Sequence, residues 1–501
     1  MNILEITVFL PLVAAVAIGL GSPARFTALG ASFLTLIISL VLAIQFNSSQ
    51  VGSFQFESAR TLLDIDGFPT LSLSFGLDGI SLVLLLLSSL VMVAAVLAAP
   101  AEASLSRNPR LYYLSLLLIG GGAIGAFCST DLFFFYAFHE LALIPTFLMI
   151  GIFGYGENRL RTAWTITIYL GVGSLILLVG LILMISALGG STLNIEDLVA
   201  LAKNSETGIE ASQQGGIFLL LLIGFGILVS LFPFHSWAAP AYAEAPAPVA
   251  MLHAGVLKKF GLYGLIRVAL PIVPEGAQQY LNLLLILLLG NIIYLGLVTI
   301  AQQKLDRMLG FSSVMHMGYV FLGLAAGNEL GLSGAVLLMF AHGISIALLF
   351  AMCGWLRETY GTLEFSKLGG IGKQVPRMGL LFGFAAFASA GLPGFANFAA
   401  EVEVFVGAFE GAENGLGWIQ WTTIIALWGV VISAVYMLRA FRSIFMGPIP
   451  ERLEAPSDLN WSARVPLLIL LVALMSVGFI PEILNQFIRP AIEGFFLVSA
   501  D

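Results

Sequence analysis

Nine residues that can take up and release protons lie within apolar stretches of this chain that are long enough to cross a membrane. They are His139, Glu140, His235, His253, Lys258, Lys259, His316, His342 and Glu401. A charge at the middle of a membrane helix costs roughly 2.5–3.5 kcal/mol, so such residues are rare and usually functional. Imidazoles exchange protons near neutral pH, and amines and carboxylates act as acids and bases. The set therefore predicts a proton path through a bilayer.

The composition assigns the chain to the polytopic membrane proteins. Hydrophobic residues make up 59% of its 501 residues and charged residues 10%, with a mean hydropathy of +1.00, which excludes a soluble core of this length. With about 20 apolar residues per span, we predict an all-α fold of fourteen transmembrane helices in a single domain, 1–501. The predicted spans are 3–21, 27–46, 79–99, 111–129, 132–154, 163–188, 216–237, 247–270, 279–301, 309–327, 331–356, 376–408, 419–444 and 465–486.

Lysine and arginine residues are distributed unequally between the two sets of loops, which indicates the orientation. The loops after odd-numbered spans hold Arg25, Arg107, Arg110, Arg159, Arg161, Lys304, Arg307, Arg357, Lys367, Lys373, Arg377, Arg439, Arg442, Arg452 and Arg464. The other side holds Arg60, Lys203 and Arg489, with Arg267 at the end of the eighth span. We expect the odd loops in the cytoplasm of a bacterial cell and both termini on the other side of its inner membrane.

Several other kinds of site are not indicated. Cys128 and Cys353 lack the spacing of a redox or metal site, so we expect them to be small core residues. The scattered histidines do not fit a zinc site, and no haem, iron–sulfur, P-loop or dinucleotide motif is found. The first span begins near Met1 without a basic segment before it or a cleavage site after it, so it is expected to be retained. We expect no cofactor in this chain and no nucleic-acid partner.

Two predicted spans are interrupted at their middles. LFPFHSWAAP (231–240) interrupts the seventh span and AGLPGFANF (390–398) the twelfth. Proline removes a backbone donor and clashes with the preceding turn, so both spans are expected to be broken helices. Five spans separate them, an odd number, so the two must run in opposite directions. This predicts inverted five-helix repeats at about 111–270 and 279–444, which is typical of ion-coupled transport proteins.

Each titratable residue also has a structural interpretation. Glu140 could be a neutral carboxyl group that caps a neighbouring carbonyl, and each histidine taken singly could be a hydrogen-bonded core residue. Lys258 and Lys259 are adjacent and point in different directions, and neither can extend to the membrane surface from mid-span. At least one should pair with a carboxylate or line a wet cavity, unless both form a static ion pair. Glu401 and Glu403 are two residues apart, so only one is expected to face the interior.

Six segments in spans four to thirteen resemble the signature segments of the antiporter-like subunits of respiratory complex I. The resemblance is strongest to the chain M (NuoM) type, and it is specific because several separate motifs occur in the same order. The segments are HELALIP (139–145), FPFHSWAAPAYAEAP (232–246), AGVLKKFGLYGLIR (254–267), RMLGFSSVMHMG (307–318), AHGIS (341–345) and LPGFANFAAE (392–401).

The resemblance implies roles for individual residues. Glu140 matches the family's fifth-span glutamate, and Lys259 matches its central eighth-span lysine. His316 and His342 match the relay histidines of spans ten and eleven, and Glu401 matches the ionisable residue of the broken twelfth span. Protons would enter from the cytoplasm near Glu140, wait at Lys259, pass the two histidines and leave near Glu401.

The chain departs from the family pattern in the seventh span. His235 matches the first histidine of an HTWLPDAH-like segment, which here reads HSWAAPAYAEAP and lacks the aspartate and the second histidine. Seven residues earlier the family has a lysine that pairs with the fifth-span glutamate, whereas this chain has Leu228. Either this half-channel works differently, or Glu140 takes another partner, such as His139, His253 or Lys258, and we expect the second.

The resemblance implies a proton-translocating membrane subunit of an NADH- or ferredoxin-linked quinone oxidoreductase. The NADH, flavin and iron–sulfur centres would then belong to partner subunits of complex I, and this chain would hold no redox site. Two alternatives remain open. The chain could belong to an Mrp-type cation/proton antiporter or a membrane-bound hydrogenase, or it could be a free-standing secondary transporter, against which the lack of a substrate-binding constellation counts.

Overall fold

The computed structural model describes residues 2–65, 68–100, 108–204, 206–412, 415–449 and 457–497, so Arg107 and Arg452 lie outside the described residues. Two strands, β1 (Gln55–Leu63) and β2 (Leu71–Leu77), accompany nineteen helices within these ranges. The helices are α1 (Ile3–Gly19), α2 (Ala24–Gln45), α3 (Gly79–Ala98), α4 (Pro109–Cys128), α5 (Leu132–Phe153), α6 (Arg159–Ala187), α7 (Ile195–Lys203), α8 (Ala211–Val229), α9 (Ala238–Glu244), α10 (Ala247–Ile272), α11 (Pro274–Gln279), α12 (Leu281–Ala301), α13 (Leu305–Ala326), α14 (Glu329–Tyr360), α15 (Pro376–Ser389), α16 (Ala396–Phe409), α17 (Trp418–Phe445), α18 (Trp461–Phe479) and α19 (Glu482–Leu497).

Twelve of the described helices are long and apolar enough to cross a membrane: α2 to α6, α8, α10, α12 to α14, α17 and α18. Helix α1 is apolar but shorter, with 17 residues. Helices α15 and α16 together occupy the predicted twelfth span, so every one of the fourteen predicted spans coincides with a helix or a broken helix. The prediction of an all-α polytopic membrane protein is confirmed, with one small antiparallel hairpin of β1 and β2 as its exception.

Two boundaries differ from the sequence prediction. The break in the seventh span covers 230–237, whereas the sequence predicted 231–240. Helix α9 already begins at Ala238, and the proline that follows lies in its first turn. The predicted fourteenth span, 465–486, is wrong at its end. Helix α18 ends at Phe479 and α19 begins at Glu482, because Pro481 has no N–H group with which to continue the first helix.

Polar side chains define where several helices begin. Asp131 accepts hydrogen bonds from the first N–H groups of α5, and Asn328 does the same for α14. Asn108 and Asn460 cap α4 and α18. The first N–H groups of a helix have no partner within it, so these caps stabilise each helix end typically by about 1 kcal/mol.

The loops after odd-numbered spans meet at one face of the protein, and the remaining loops meet at the other. On the first face, Arg307 pairs with Glu244 at 3.5 Å and Lys304 with Glu364 at 3.4 Å. On the opposite face, Arg60 pairs with Glu5 at 2.9 Å. These contacts join loops that the charge distribution assigned to the same side. The cytoplasmic position of the first face stays a prediction, as do the inverted repeats.

A buried ion pair joins α10 to the start of α3. The Arg267 guanidinium contacts the Asp78 carboxylate, and both side chains are less than a tenth exposed. The same guanidinium lies 4.6 Å from the ring centre of Phe54, in the segment that precedes β1. Asp78 also caps α3 by accepting a hydrogen bond from the N–H of Ser81. The pair therefore holds the outer end of the central helix α10 in place.

Removing one partner of this pair should destabilise the fold strongly. We expect Asp78→Asn to lower the free energy of unfolding by about 3–5 kcal/mol, because the Arg267 charge would remain buried without its counter-charge. The matched control is Glu364→Gln, which breaks ion pairs with Lys304 and Lys367 at the protein surface and should have a much smaller effect. Thermal unfolding in detergent would measure both, and equal effects of the two variants would contradict the interpretation.

Candidate proton path

The central helices carry most of the predicted titratable residues. The 18 most apolar consecutive residues of α10 and of α14 are all buried within the protein, and those of α13 are nearly so. Polar groups on these helices therefore face other protein groups and not lipid. Residues His253–Leu257 of α10 form a wider π-helical turn, in which the N–H of Lys258 bonds to the carbonyl of His253. Such turns often occur at functional sites.

The two lysines of α10 have different partners. The Lys258 ammonium lies 3.3 Å from Ser313 Oγ on α13 and 5.2 Å from the ring centre of Tyr242. The Lys259 ammonium donates to the carbonyl of Ala254 at 2.7 Å. Both side chains are completely buried. Among the described residues neither has a carboxylate within 4 Å, so the expected ion pair of a lysine with a carboxylate is not found.

Two histidines meet between α13 and α14. The imidazole rings of His316 and His342 are stacked with 5.2 Å between their centres. His342 Nε2 lies 3.1 Å from Ser313 Oγ, the atom that Lys258 also contacts. The side chains of Lys258, Ser313, His342 and His316 thus form a continuous polar series through three buried helices.

His316 links this series to the break between α15 and α16. Its Nδ1 lies 2.8 Å from the carbonyl oxygen of Ser312, and its Nε2 lies 3.0 Å from that of Ser389, the last residue of α15. A neutral imidazole can donate to only one carbonyl, whereas the protonated ring can donate to both. The site can therefore accommodate an additional proton on His316.

Glu401 lies at the second break, in α16. Its side chain is buried, and a Cβ added to Gly391 would lie 2.4 Å from its Oε2. Gly391 has a φ of +71°, so the backbone of the turn favours glycine, and a larger residue there would also displace the carboxylate. Glu403 points elsewhere, and its Oε1 accepts from Asn485 at 2.6 Å and pairs with Arg489 at 3.3 Å, both on α19.

Glu140 lies at the margin of this arrangement. Its side chain is about a third exposed, and its Oε1 lies 3.6 Å from Nδ1 of His139, which stacks on Phe260 of α10. No lysine or arginine of the described chain comes within 4 Å of its carboxylate. Leu228 is buried and apolar. Of the three partners expected to replace the family's lysine, His139 is the one beside the carboxylate, while Lys258 turns to Ser313.

The remaining histidines differ in position. His253 is buried, with Nδ1 3.4 Å from the hydroxyl of Tyr242, and it interacts electrostatically with Lys258 and His139. His235 is only partly buried and stacks on Phe232 at 5.6 Å, away from the other histidines. The structure therefore brings His253 to the lysines and leaves His235 outside the series. Cys128 and Cys353 are buried, as expected of core residues.

Sequence reasoning missed Asn291, a completely buried residue of α12. Its Nδ2 donates to the carbonyls of Ser230 at 3.2 Å and Val314 at 2.9 Å. Its Oδ1 accepts from the N–H of Phe232 at 2.7 Å. Asn291 therefore provides partners for backbone groups that the broken α8 leaves free. A single amide within LLLGNIIYLG, an otherwise apolar span, was the signal that could have identified it.

We expect Asn291→Leu to destabilise the break of α8. Three hydrogen bonds would be lost and buried backbone groups left without partners, which should cost about 2–4 kcal/mol. The adjacent Ile292→Leu conserves volume at a buried position and serves as the matched control, with a cost below about 1.5 kcal/mol. Thermal unfolding of the purified variants would show the difference, and an Asn291→Leu protein as stable as the control would refute the bridging role.

Comparisons with known proteins agree with this architecture. Residues 129–447 match the family model described as "NADH:quinone oxidoreductase/Mrp antiporter, TM". A relative from Synechococcus, named NAD(P)H-quinone oxidoreductase chain 4, is 35% identical over 416 residues, covering 82% of this chain and 77% of the relative. The protein of the same name from Gloeobacter violaceus is 33% identical over 505 residues, covering 99% and 93%.

A solved structure extends the similarity to the whole chain. A chain of respiratory complex I from Thermus thermophilus with bound NADH superposes with a TM-score of 0.88 at 29% identity, covering 99% of this chain and 100% of that one. The resemblance to the antiporter-like subunits of complex I that the motifs predicted is confirmed. This chain belongs to the NADH:quinone oxidoreductase/Mrp antiporter transmembrane family.

Proposed function

We propose that this chain is a proton-translocating membrane subunit of an NAD(P)H-quinone oxidoreductase. The observation that carries the proposal is the buried series of Lys258, Ser313, His342 and His316, which extends from α10 to the break beside Glu401. The names of the relatives at 33–35% identity support the same activity. They also favour this function over that of an Mrp antiporter subunit or a free-standing transporter.

The buried location of these groups makes them sensitive to charge. In a medium of low dielectric constant, a change of charge at one site acts strongly on the next. Protonation of His342 would repel a proton from His316, whose ring lies 5.2 Å away, and Lys259 is within electrostatic range of both. Electron transfer elsewhere in a complex could therefore move protons along the series by changing the charge at one end. This coupling of electron transfer to proton movement needs no redox chemistry within the chain itself.

The proposed direction runs from the face of the odd loops to the face of the even loops. Protons would enter on the cytoplasmic side near Glu140 and leave beyond Glu401 on the side of the termini. Glu140 is partly exposed, so a neighbouring membrane subunit could supply charge at that point. NADH, flavin and iron–sulfur centres are proposed to lie in partner subunits, and both termini are proposed to lie outside the cytoplasm.

Donor-driven acidification of inverted membrane vesicles tests the proposal. We expect Lys259→Ala to lower the initial rate of acidification by more than about tenfold, since a buried cation of the path would be missing. Lys304→Ala removes a lysine at the surface, more than half exposed, and serves as the matched control. Assembly of the complex would be verified by co-purification of the iron–sulfur subunits.

The outcomes distinguish the candidate functions. Unchanged acidification in an assembled Lys259→Ala complex would make the buried lysine structural and would refute the relay. Acidification that requires sodium, or a chain that never co-purifies with iron–sulfur subunits, would favour an Mrp-type antiporter instead.

A further inference from the structure

The resemblance to complex I assigns the central role to Lys259, but the hydrogen bonds in this structure lead to its neighbour. Lys258 Nζ lies 3.3 Å from Ser313 Oγ, which in turn lies 3.1 Å from His342 Nε2. One hydroxyl group therefore bridges the ammonium of α10 and the imidazole of α14. All three side chains are at least 99% buried.

The chemistry of the three groups allows this bridge to run from Lys258 to His342. A lysine ammonium has only donors, so Ser313 Oγ must accept from Lys258. The hydroxyl proton of Ser313 can then be directed to its other neighbour, His342 Nε2, in the tautomer in which that nitrogen is the acceptor. In this arrangement the neutral His342 carries its own proton on Nδ1. Each group is thus prepared for a transfer from Lys258 towards His342.

Lys259 has no such connection. Its ammonium donates to the carbonyl oxygen of Ala254 at 2.7 Å. A backbone carbonyl accepts a hydrogen bond but has no proton of its own to pass on. Lys259 nevertheless interacts electrostatically with His342 and His316. Its contacts suit a fixed positive charge beside the path.

We propose that Lys258, through the hydroxyl of Ser313, delivers the proton to His342, while Lys259 acts on the transfer through its charge. This inference rests on the proton-translocating function proposed above. In the transfer an N–H bond of the Lys258 ammonium breaks and its proton binds Ser313 Oγ. The original hydroxyl proton of Ser313 moves to His342 Nε2, which leaves a neutral amine and an imidazolium. Lys258 regains a proton from the entry side, where His253 lies within electrostatic range.

Ser313→Ala provides the first test, because it removes the bridging oxygen and little else. In vesicles that contain the assembled complex, we expect acidification to fall about tenfold, whereas Ser313→Thr should restore it by returning a hydroxyl group. Ser333→Ala is the matched control: Ser333 is a completely buried serine of α14 whose hydroxyl has no hydrogen-bond partner in the described part of the chain. A loss in Ser333→Ala equal to that in Ser313→Ala would indicate a packing effect and would overturn the inference.

Arginine substitutions separate a proton carrier from a fixed charge. Arginine keeps the positive charge but does not release a proton in proteins. We expect Lys258→Arg to abolish acidification and Lys259→Arg to retain a substantial part of it. The reverse result would assign the carrier role to Lys259.

The inference and the proposed function can fail separately. If Lys259→Ala stops acidification while Ser313→Ala and Lys258→Leu leave it unchanged, the protein translocates protons by a route that bypasses Ser313. The inference would then be wrong and the function would stand. If none of these variants affects acidification in an assembled complex, both are wrong.

Discussion

Inside a membrane, every backbone hydrogen-bonding group must find its partner within the protein, and the rest of this structure depends on how that requirement is met at two broken helices. At the first break, the side chain of Asn291 bonds to backbone groups of Ser230 and Phe232. At the second, Nε2 of the His316 ring lies 3.0 Å from the carbonyl oxygen of Ser389. One break is held by an amide that does not titrate, and the other by an imidazole that does. The same physical requirement is therefore met by a side chain that does not titrate at one break and by a titratable side chain at the other.

The buried lysines show an effect of the low dielectric constant inside the protein. A charge buried in a protein is stabilised by a counter-ion or by hydrogen bonds, and here the partners are a hydroxyl and a carbonyl. A tight ion pair would hold a proton on the amine and slow its release. Neutral partners bind the ammonium more weakly and leave the amine able to exchange its proton. By contrast, the pair of Arg267 and Asp78 near the membrane boundary carries complementary charges and serves to anchor α10.

Leu228 stands where the family pattern has a lysine, and this changes what surrounds Glu140. Without a lysine at that position, Glu140 contacts His139, while the additional amine of Lys258 is directed to Ser313 on the far side of α10. The half of the chain that holds Glu140 and the half that holds Glu401 are connected through a hydroxyl group on α13. The absent lysine is therefore not replaced by another lysine beside the Glu140 carboxylate.

The sequence by itself determined the membrane class, the approximate positions of the long helices, the regions of the two breaks and most of the buried titratable residues. These features are local, because apolar segment length and the missing N–H group of proline act without reference to the rest of the chain. The family resemblance added roles but assigned the central one to Lys259. Only the tertiary structure decided which lysine faces Ser313, that Asn291 bridges the first break, and that His235 stays outside the series. The rotation of a helix about its axis and the π turn before Lys258 depend on packing against α3, α8 and α14, which no local pattern in α10 specifies.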